Sequence, residues 1–313
     1  MKFLLKLISG LIVMVVLLSA ALVAFTWEPD RSVEELAARW APAPSQFIDV
    51  NGQQVHLRDE GPRDDPSPIV LLHGTSASLH TWDGWVAELA QSRRVIRFDL
   101  PGFGLTGPNQ TGDYRMDTYV AFVMDVMDSL QVPHFVLGGN SLGGAIAWRT
   151  AAAHPQRVDK LILVDAGGYP YEPESWPLAF VISQTPLLNQ VMEYTLPRSA
   201  VEASVRDVYG DPSKITPELI DRYFDLALRA GNRGALRERF AQNKQDDRSA
   251  LVKNLQQPTL VLWGSEDHLI PASIAYRFEA DLPNGRLVMF EGLGHVPHEE
   301  DPITTVAEVN RFL

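Results

Sequence analysis

A chain of 313 residues with 45% hydrophobic content is long enough to bury a sizeable core in one large domain plus appendages. Acidic residues outnumber basic ones, 39 to 27, and the net charge of −12 with no basic run excludes a phosphate-backbone partner such as nucleic acid. The absence of cysteine excludes disulfides, thiolate zinc sites and cysteine nucleophiles, and leaves the redox compartment open.

Leu7 to Trp27 contains no charged residue over 21 positions, enough at about 1.5 Å per helical residue to span a bilayer core of roughly 30 Å. Lys2 and Lys6 precede it and Glu28, Asp30, Glu34 and Glu35 follow it, so the positive-inside rule keeps the N-terminus in the cytoplasm and exports the rest. Residues 1–27 are read as an uncleaved membrane anchor, because the run exceeds the roughly 7 to 15 apolar residues of a signal peptide. The alternative is secretion after cleavage near Ser19-Ala20-Ala21. Ser32-Val33-Glu34-Glu35 is a capping box opening a short amphipathic helix that Pro42 and Pro44 stop, within a tether over 28–46. Phe47 to Leu57, with Asn51-Gly52 between alternating apolar residues, predicts a hairpin.

Ile69 to Leu72 is a fully apolar run of the kind found in parallel strands buried on both faces, and His73-Gly74-Thr75-Ser76 follows directly. Gly74 lets the chain turn so that a backbone N–H of Thr75, or alternatively Ser76, points toward a reacting oxygen. His73 is read as a brace for that loop. A helix over Thr81 to Leu89, a strand over Val95 to Phe98, a turn-rich loop from Asp99 to Gly104 and a helix from Met116 to Leu130 come next. Asp99 is read as structural.

Gly139-Asn140-Ser141-Leu142-Gly143-Gly144 lies between an apolar strand-like run, Phe135 to Leu137, and a helix-like run, Ala145 to His154. This is the context of a nucleophile elbow, in which a tight strand-to-helix bend holds the serine hydroxyl clear and flanking glycines let backbone pass close by. After the strand from Leu161 to Val164, strand patterns stop between about 168 and 250. Helical pieces punctuated by prolines replace them, a lid whose Trp176, Phe180, Met192, Tyr194, Tyr209, Tyr223 and Phe224 are candidates to line an apolar pocket. Strands resume at Thr259 to Trp263 and Arg286 to Phe290, and residues Glu299 to Leu313 close the chain as a helix. Alternating strands and helices predict a mostly parallel sheet with its site at the carboxyl ends of the strands. His73, Asp99, Ser141, Asp165, Asp267 and His295 all fall there. His295 is the candidate base and Asp267 the preferred acid, with Glu266 and Asp165 as rivals able to orient an imidazole.

The segments His73-Gly74, Gly139 to Gly144, Trp263 to Pro271 and Gly294-His295, in nucleophile, acid, histidine order, resemble the α/β-hydrolase superfamily, in its serine-nucleophile, lid-bearing, esterase- and lipase-like branch. The resemblance covers Phe47 to Leu313, so residues 47–313 are expected to form one catalytic domain: a mostly parallel eight-stranded sheet with helices on both faces and an inserted helical lid. It implies that Ser141 attacks a carbonyl carbon, His295 moves the proton, Asp267 orients the imidazole, and the Leu142 N–H joins that of Thr75 in the oxyanion hole. No metal or organic cofactor is implied. Serine at the elbow, where related dehalogenases and epoxide hydrolases have aspartate, disfavours those activities. A carboxylic-ester hydrolase acting on a small-molecule ester with apolar acyl or aryl groups is the expected activity. Its alternatives are a carbon–carbon bond hydrolase of the meta-cleavage type, against which stand Val296 after the histidine and the expected export, a cofactor-free haloperoxidase-like perhydrolase, and a membrane-tethered binding module without chemistry. Oligomeric state is not legible.

Overall fold

The expected hairpin opens the sheet: β1 (Gln46–Val50) pairs antiparallel with β2 (Gln53–Glu60) across Asn51 and Gly52. Both turn residues have positive φ, 53° and 87°, the conformation that an Asn-Gly hairpin turn adopts to match strand twist. The structure, a computed structural model, describes residues 2–175, 177–185, 193–242 and 247–313. The remaining strands are β3 (Ile69–Leu72), β4 (Val95–Phe98), β5 (Phe135–Asn140), β6 (Val158–Val164), β7 (Thr259–Gly264) and β8 (Gly285–Phe290). They assemble into an eight-stranded sheet in the order β1-β2-β4-β3-β5-β6-β7-β8, parallel from β4 onward.

Alternate side chains of each central strand enter separate cores, which is why these strands read as unbroken apolar runs. One core joins Val70, Leu72, Leu137, Leu163 and Trp263 to helices α4 (Met116–Ser129) and α5 (Leu142–Ala153), which follow α1 (Lys2–Phe25), α2 (Val33–Trp40) and α3 (Asp83–Leu89) in the chain. The opposite core joins Ile69, Leu71, Ile162 and Leu262 to Trp82, Trp85 and Val309. The C-terminal helix is broken in two, α11 (Pro297–Glu300) and α12 (Pro302–Phe312), after α10 (Ala272–Asp281). Pro302 has no N–H to continue a helix, and the Asp301 carboxylate caps the new one by accepting from the Thr304 N–H at 3.2 Å.

Between β6 and β7 the described residues form α6 (Leu178–Gln184), α7 (Arg198–Arg206), α8 (Pro217–Ala227) and α9 (Asn232–Gln242), the expected lid. The segment read as a tether is docked against it. The Ser32 capping box forms in both directions, and α2 buries Leu36 and Trp40 against Leu226 of the lid and Leu105. Trp40 Nε1 donates to Asp225 at 3.0 Å, and Arg31 and Arg39 pair with the same carboxylate, so the short helix is held by an ion-pair cluster. Trp27 stacks on Tyr194. The amphipathic face that the sequence showed has a partner in the lid, and burial of that face draws the segment down.

The N-terminal apolar run forms α1, in which the side chains of residues 2–5, 12, 15, 16 and 18–22 lie outside the described set. Counted over the described residues, no helix is long and apolar enough to cross a membrane.

Candidate active site

β5 ends at Asn140 and α5 begins at Leu142, so Ser141 alone makes the strand-to-helix turn. Its φ of 54° and ψ of −112° are strained for a side chain with Cβ, and the turn survives because its surroundings fix it. The Ser141 N–H donates to Val164 O, and its carbonyl accepts from the N–H groups of Ala145 and Gly167, each at 3.0 Å. Both flanking glycines are sterically required. A Cβ on Gly139 would lie 2.3 Å from the Gly143 carbonyl, and one on Gly143 would lie 2.2 Å from Leu72 O.

His295 follows β8 on a loop and its Nδ1 lies 2.7 Å from Asp267 Oδ2, with both residues buried. The other Asp267 oxygen accepts the N–H groups of Leu269 and Ile270 at 2.9 and 2.8 Å. Three N–H donors therefore converge on one carboxylate. The carboxylate assigns the imidazole proton to Nδ1 and leaves Nε2 as a lone pair. Ser141 and His295 line a single cavity of about 120 Å³.

The rivals for the acid separate clearly. Glu266 is turned to the surface, where it faces His268 at 3.8 Å. Asp165 is fully buried, and one of its carboxylate oxygens, one of Asp267 and a ring nitrogen of His295 lie within 4.8 Å of one another. Burial, reinforced by the Asp267 charge, pushes the Asp165 carboxyl well above the usual carboxylate range.

Two of the other candidates are structural. His73 Nδ1 donates to Gly74 O at 2.7 Å while Nε2 accepts the Leu100 N–H at 2.9 Å, so both ring nitrogens are used in one tautomer. Burial lowers its pKa and keeps it neutral, a brace for the loop that carries Thr75. Asp99 binds His56 and the N–H groups of Leu79 and Leu105, tying the turn-rich loop to the hairpin. Thr75 lines the cavity beside Ser76, whose φ is 61°. Leu142 buries its side chain, and as the first residue of α5 its N–H has no acceptor within the helix.

The lid aromatics divide as well. Phe180 and Tyr223 line the cavity, Tyr209 and Phe224 pack within the lid's own core, and Tyr194 is exposed. Trp176 and Met192 lie outside the described residues.

Three contributors have a role that is not legible in the sequence. Asn140 donates through Nδ2 to His295 O at 2.9 Å and Val164 O at 3.2 Å, linking the serine turn to the histidine loop. Its place in the elbow motif was visible, but the partner lies 155 residues away. Buried Glu300 accepts the N–H groups of Gly210, Asp211 and Gly294, fastening lid to histidine loop, and the His295 N–H donates to Val208 O of the same lid stretch. Arg233, also buried, lines the cavity with Nη2 bonded to Asp30 Oδ1 and Glu28 O, while its Nε and Nη1 have no hydrogen-bond partner among the described residues.

A family model described as the alpha/beta hydrolase fold matches residues 67–302. The chain belongs to the α/β-hydrolase family. Among its relatives is an uncharacterized protein of Mycobacterium tuberculosis, 30% identical over 288 residues, which are 87% of this chain and 82% of that one. A 2-hydroxymuconate semialdehyde hydrolase of a Pseudomonas species is 28% identical, covering 87% of this chain and 95% of the relative. The crystal structure of a meta-cleavage product hydrolase from Pseudomonas fluorescens superposes with a TM-score of 0.72 at 25% identity, over 85% of this chain and 96% of that one. This α/β-hydrolase is a serine hydrolase. In the α/β-hydrolase frame the serine turn after β5, the acid loop after β7 and the histidine loop after β8 all open at the carboxyl edge of the parallel strands.

Proposed function

We propose that this α/β-hydrolase cleaves carboxylic esters bearing apolar acyl or aryl groups, with Ser141 as nucleophile, His295 as base and Asp267 as the orienting acid. The observation that carries this reading is the cavity itself: Ser141 and His295 open onto apolar walls that include Phe103, Phe180, Val201 and Leu236. Such walls take up a hydrocarbon chain. His295 Nε2 removes the hydroxyl proton as Ser141 Oγ bonds to the ester carbonyl carbon, and the carbonyl oxygen takes the negative charge against the N–H groups of Thr75 and Leu142. The imidazolium, held by Asp267, then gives that proton to the departing alkoxide and leaves an acyl-serine. Water repeats the sequence, releasing the acid and restoring Ser141.

A specific observation favours the second reading, carbon–carbon bond hydrolysis. Relatives matched over 95% of their own length hydrolyse substrates that are by name carboxylates, and Arg233, whose Nε and Nη1 have no hydrogen-bond partner among the described residues, is one of the residues that line the cavity. A panel of nitrophenyl esters of graded chain length, run beside a vinylogous diketone acid, decides between the two. For the ester reading kcat/KM should rise about fourfold per added methylene until the cavity is full, the equivalent of about 0.8 kcal/mol per buried CH₂. Faster turnover of the diketone acid, with a tenfold or greater loss in Arg233→Met that the esters do not share, would replace it.

We also propose that the protein is membrane-anchored through Leu7 to Trp27, with its catalytic domain outside the cytoplasm. Support comes from the exposed apolar side chains of α1, Leu11, Leu17 and Phe25 among them, and from the docked segment that follows, which joins α1 directly to the lid. Intact mass of the membrane-fraction protein should retain Met1 or its immediate neighbour. A soluble product beginning near Leu22 or Phe25 would refute the anchor, and a cytoplasmic-type signal from a reporter fused after Leu313 would refute export as well.

A further inference from the structure

The buried pair behind His295 has one carboxylate too many for the donors around it. Asp267 has three donors, the imidazole N–H on one oxygen and two backbone N–H groups on the other, and an acceptor site to spare. Asp165 receives a single N–H, from Gly264 to Oδ1 at 3.0 Å, and its Oδ2 is buried without a hydrogen-bond partner among the described residues. The two carboxyl groups approach within 4.8 Å at less than 5% exposure each. Neighbouring Glu300 adds a third acidic group, and His295 is the titratable base that faces them. Two anions in such a site repel each other strongly, and sharing of a proton is the usual resolution.

We propose that Asp165 is a positioning residue: a neutral carboxylic acid whose Oδ2 hydroxyl donates to Asp267, making a chain Ser141, His295, Asp267, Asp165. The inference rests on the serine-hydrolase reading above and deepens it. Protonated Oδ2 turns an orphaned acceptor into a donor facing a carboxylate, which holds Asp267 in plane with the imidazole and keeps a second negative charge out of the cluster. Because Asp165 is an acid, the arrangement is lost as pH rises through its raised pKa, where its proton leaves and the two carboxylates repel.

The backbone at Asp165 has φ 45°, a conformation that Asn and Gly accept, so both Asp165→Asn and Asp165→Gly can fold without added strain there. Asn supplies a donor that does not titrate, and Gly supplies none. In Asp165→Asn, kcat at pH 7 should stay within about threefold of the parent, while the fall in kcat expected of the parent as pH rises should disappear. In Asp165→Gly, kcat should drop by tenfold or more with KM nearly unchanged.

Thermal unfolding gives an arm that needs no substrate. A carboxyl whose folded pKa lies above its unfolded value binds more protons in the native state over the interval between them, so the parent loses stability as pH rises through that interval. Asp165→Asn lacks this loss, and its Tm advantage over the parent should be absent near pH 4 and grow toward neutral pH. A Tm difference that is constant with pH, or an unaltered fall in kcat as pH rises in Asp165→Asn, would overturn the proposal, as would full kcat in Asp165→Gly. Absence of any turnover that depends on Ser141 would instead defeat the catalytic reading, and the Tm arm would still report whether Asp165 is neutral.

Discussion

Ser141→Ala is expected to abolish turnover, a loss on the scale of about 10⁶-fold in kcat for a fully formed triad, and to abolish labelling by an organophosphonate. The size follows from the turn. A residue held at φ 54° between β5 and α5, with glycines that admit no Cβ on either side, is a costly arrangement for a merely structural serine. In the parent enzyme the reagent should add its mass to the peptide containing Ser141 alone, as read by mass spectrometry. Wild-type hydrolysis in the alanine variant would remove Ser141 from the chemistry altogether. Removal of one hydroxyl from a half-buried side chain leaves the core intact, so an inactive variant with an unchanged Tm separates lost chemistry from lost folding.

Asp267→Asn should lower kcat by about 10⁴-fold, the scale set by the corresponding change in a well-formed triad. With an amide at this position a single oxygen remains, for which the imidazole N–H and the N–H groups of Leu269 and Ile270 compete. If the amide nitrogen turns toward His295, the ring must present Nδ1 as acceptor and move its proton to Nε2, the wrong side to receive one from Ser141. Stopped-assay kcat values for Asp267→Asn, Asp165→Asn and the double variant test the assignment. Near-normal activity in Asp267→Asn together with collapse in Asp165→Asn would move the acid to the end of β6. Because the two residues share one cluster, their effects should be non-additive.

Local features were legible wherever the cause was local. Asn51-Gly52 demands a hairpin because two consecutive positive φ values suit few other pairs, and the structure has both. Ser32 and Glu35 cap α2 reciprocally, as their spacing of three requires. Ile69 to Leu72 is apolar at every position because a central parallel strand feeds a core on each side. Glu299 to Leu313 reads as one closing helix. Proline's missing N–H and the Asp301 cap decide otherwise, a competition that periodicity does not register.

By itself, then, the sequence determined the order of strands and helices, the α/β class, the serine at the elbow and a short list of acids. These depend on residue type at fixed spacing along the chain. Tertiary structure alone decided which acid meets the imidazole, since Glu266 and Asp267 are adjacent and differ only in which way the loop after β7 turns them. It alone placed Asp165 behind Asp267, fastened the lid to the histidine loop through Glu300, and set Arg233 in the cavity wall against Asp30. Most of those contacts join residues far apart in the chain, and their energies depend on burial and through-space charge, quantities that exist only once the sheet has brought its loops to one edge.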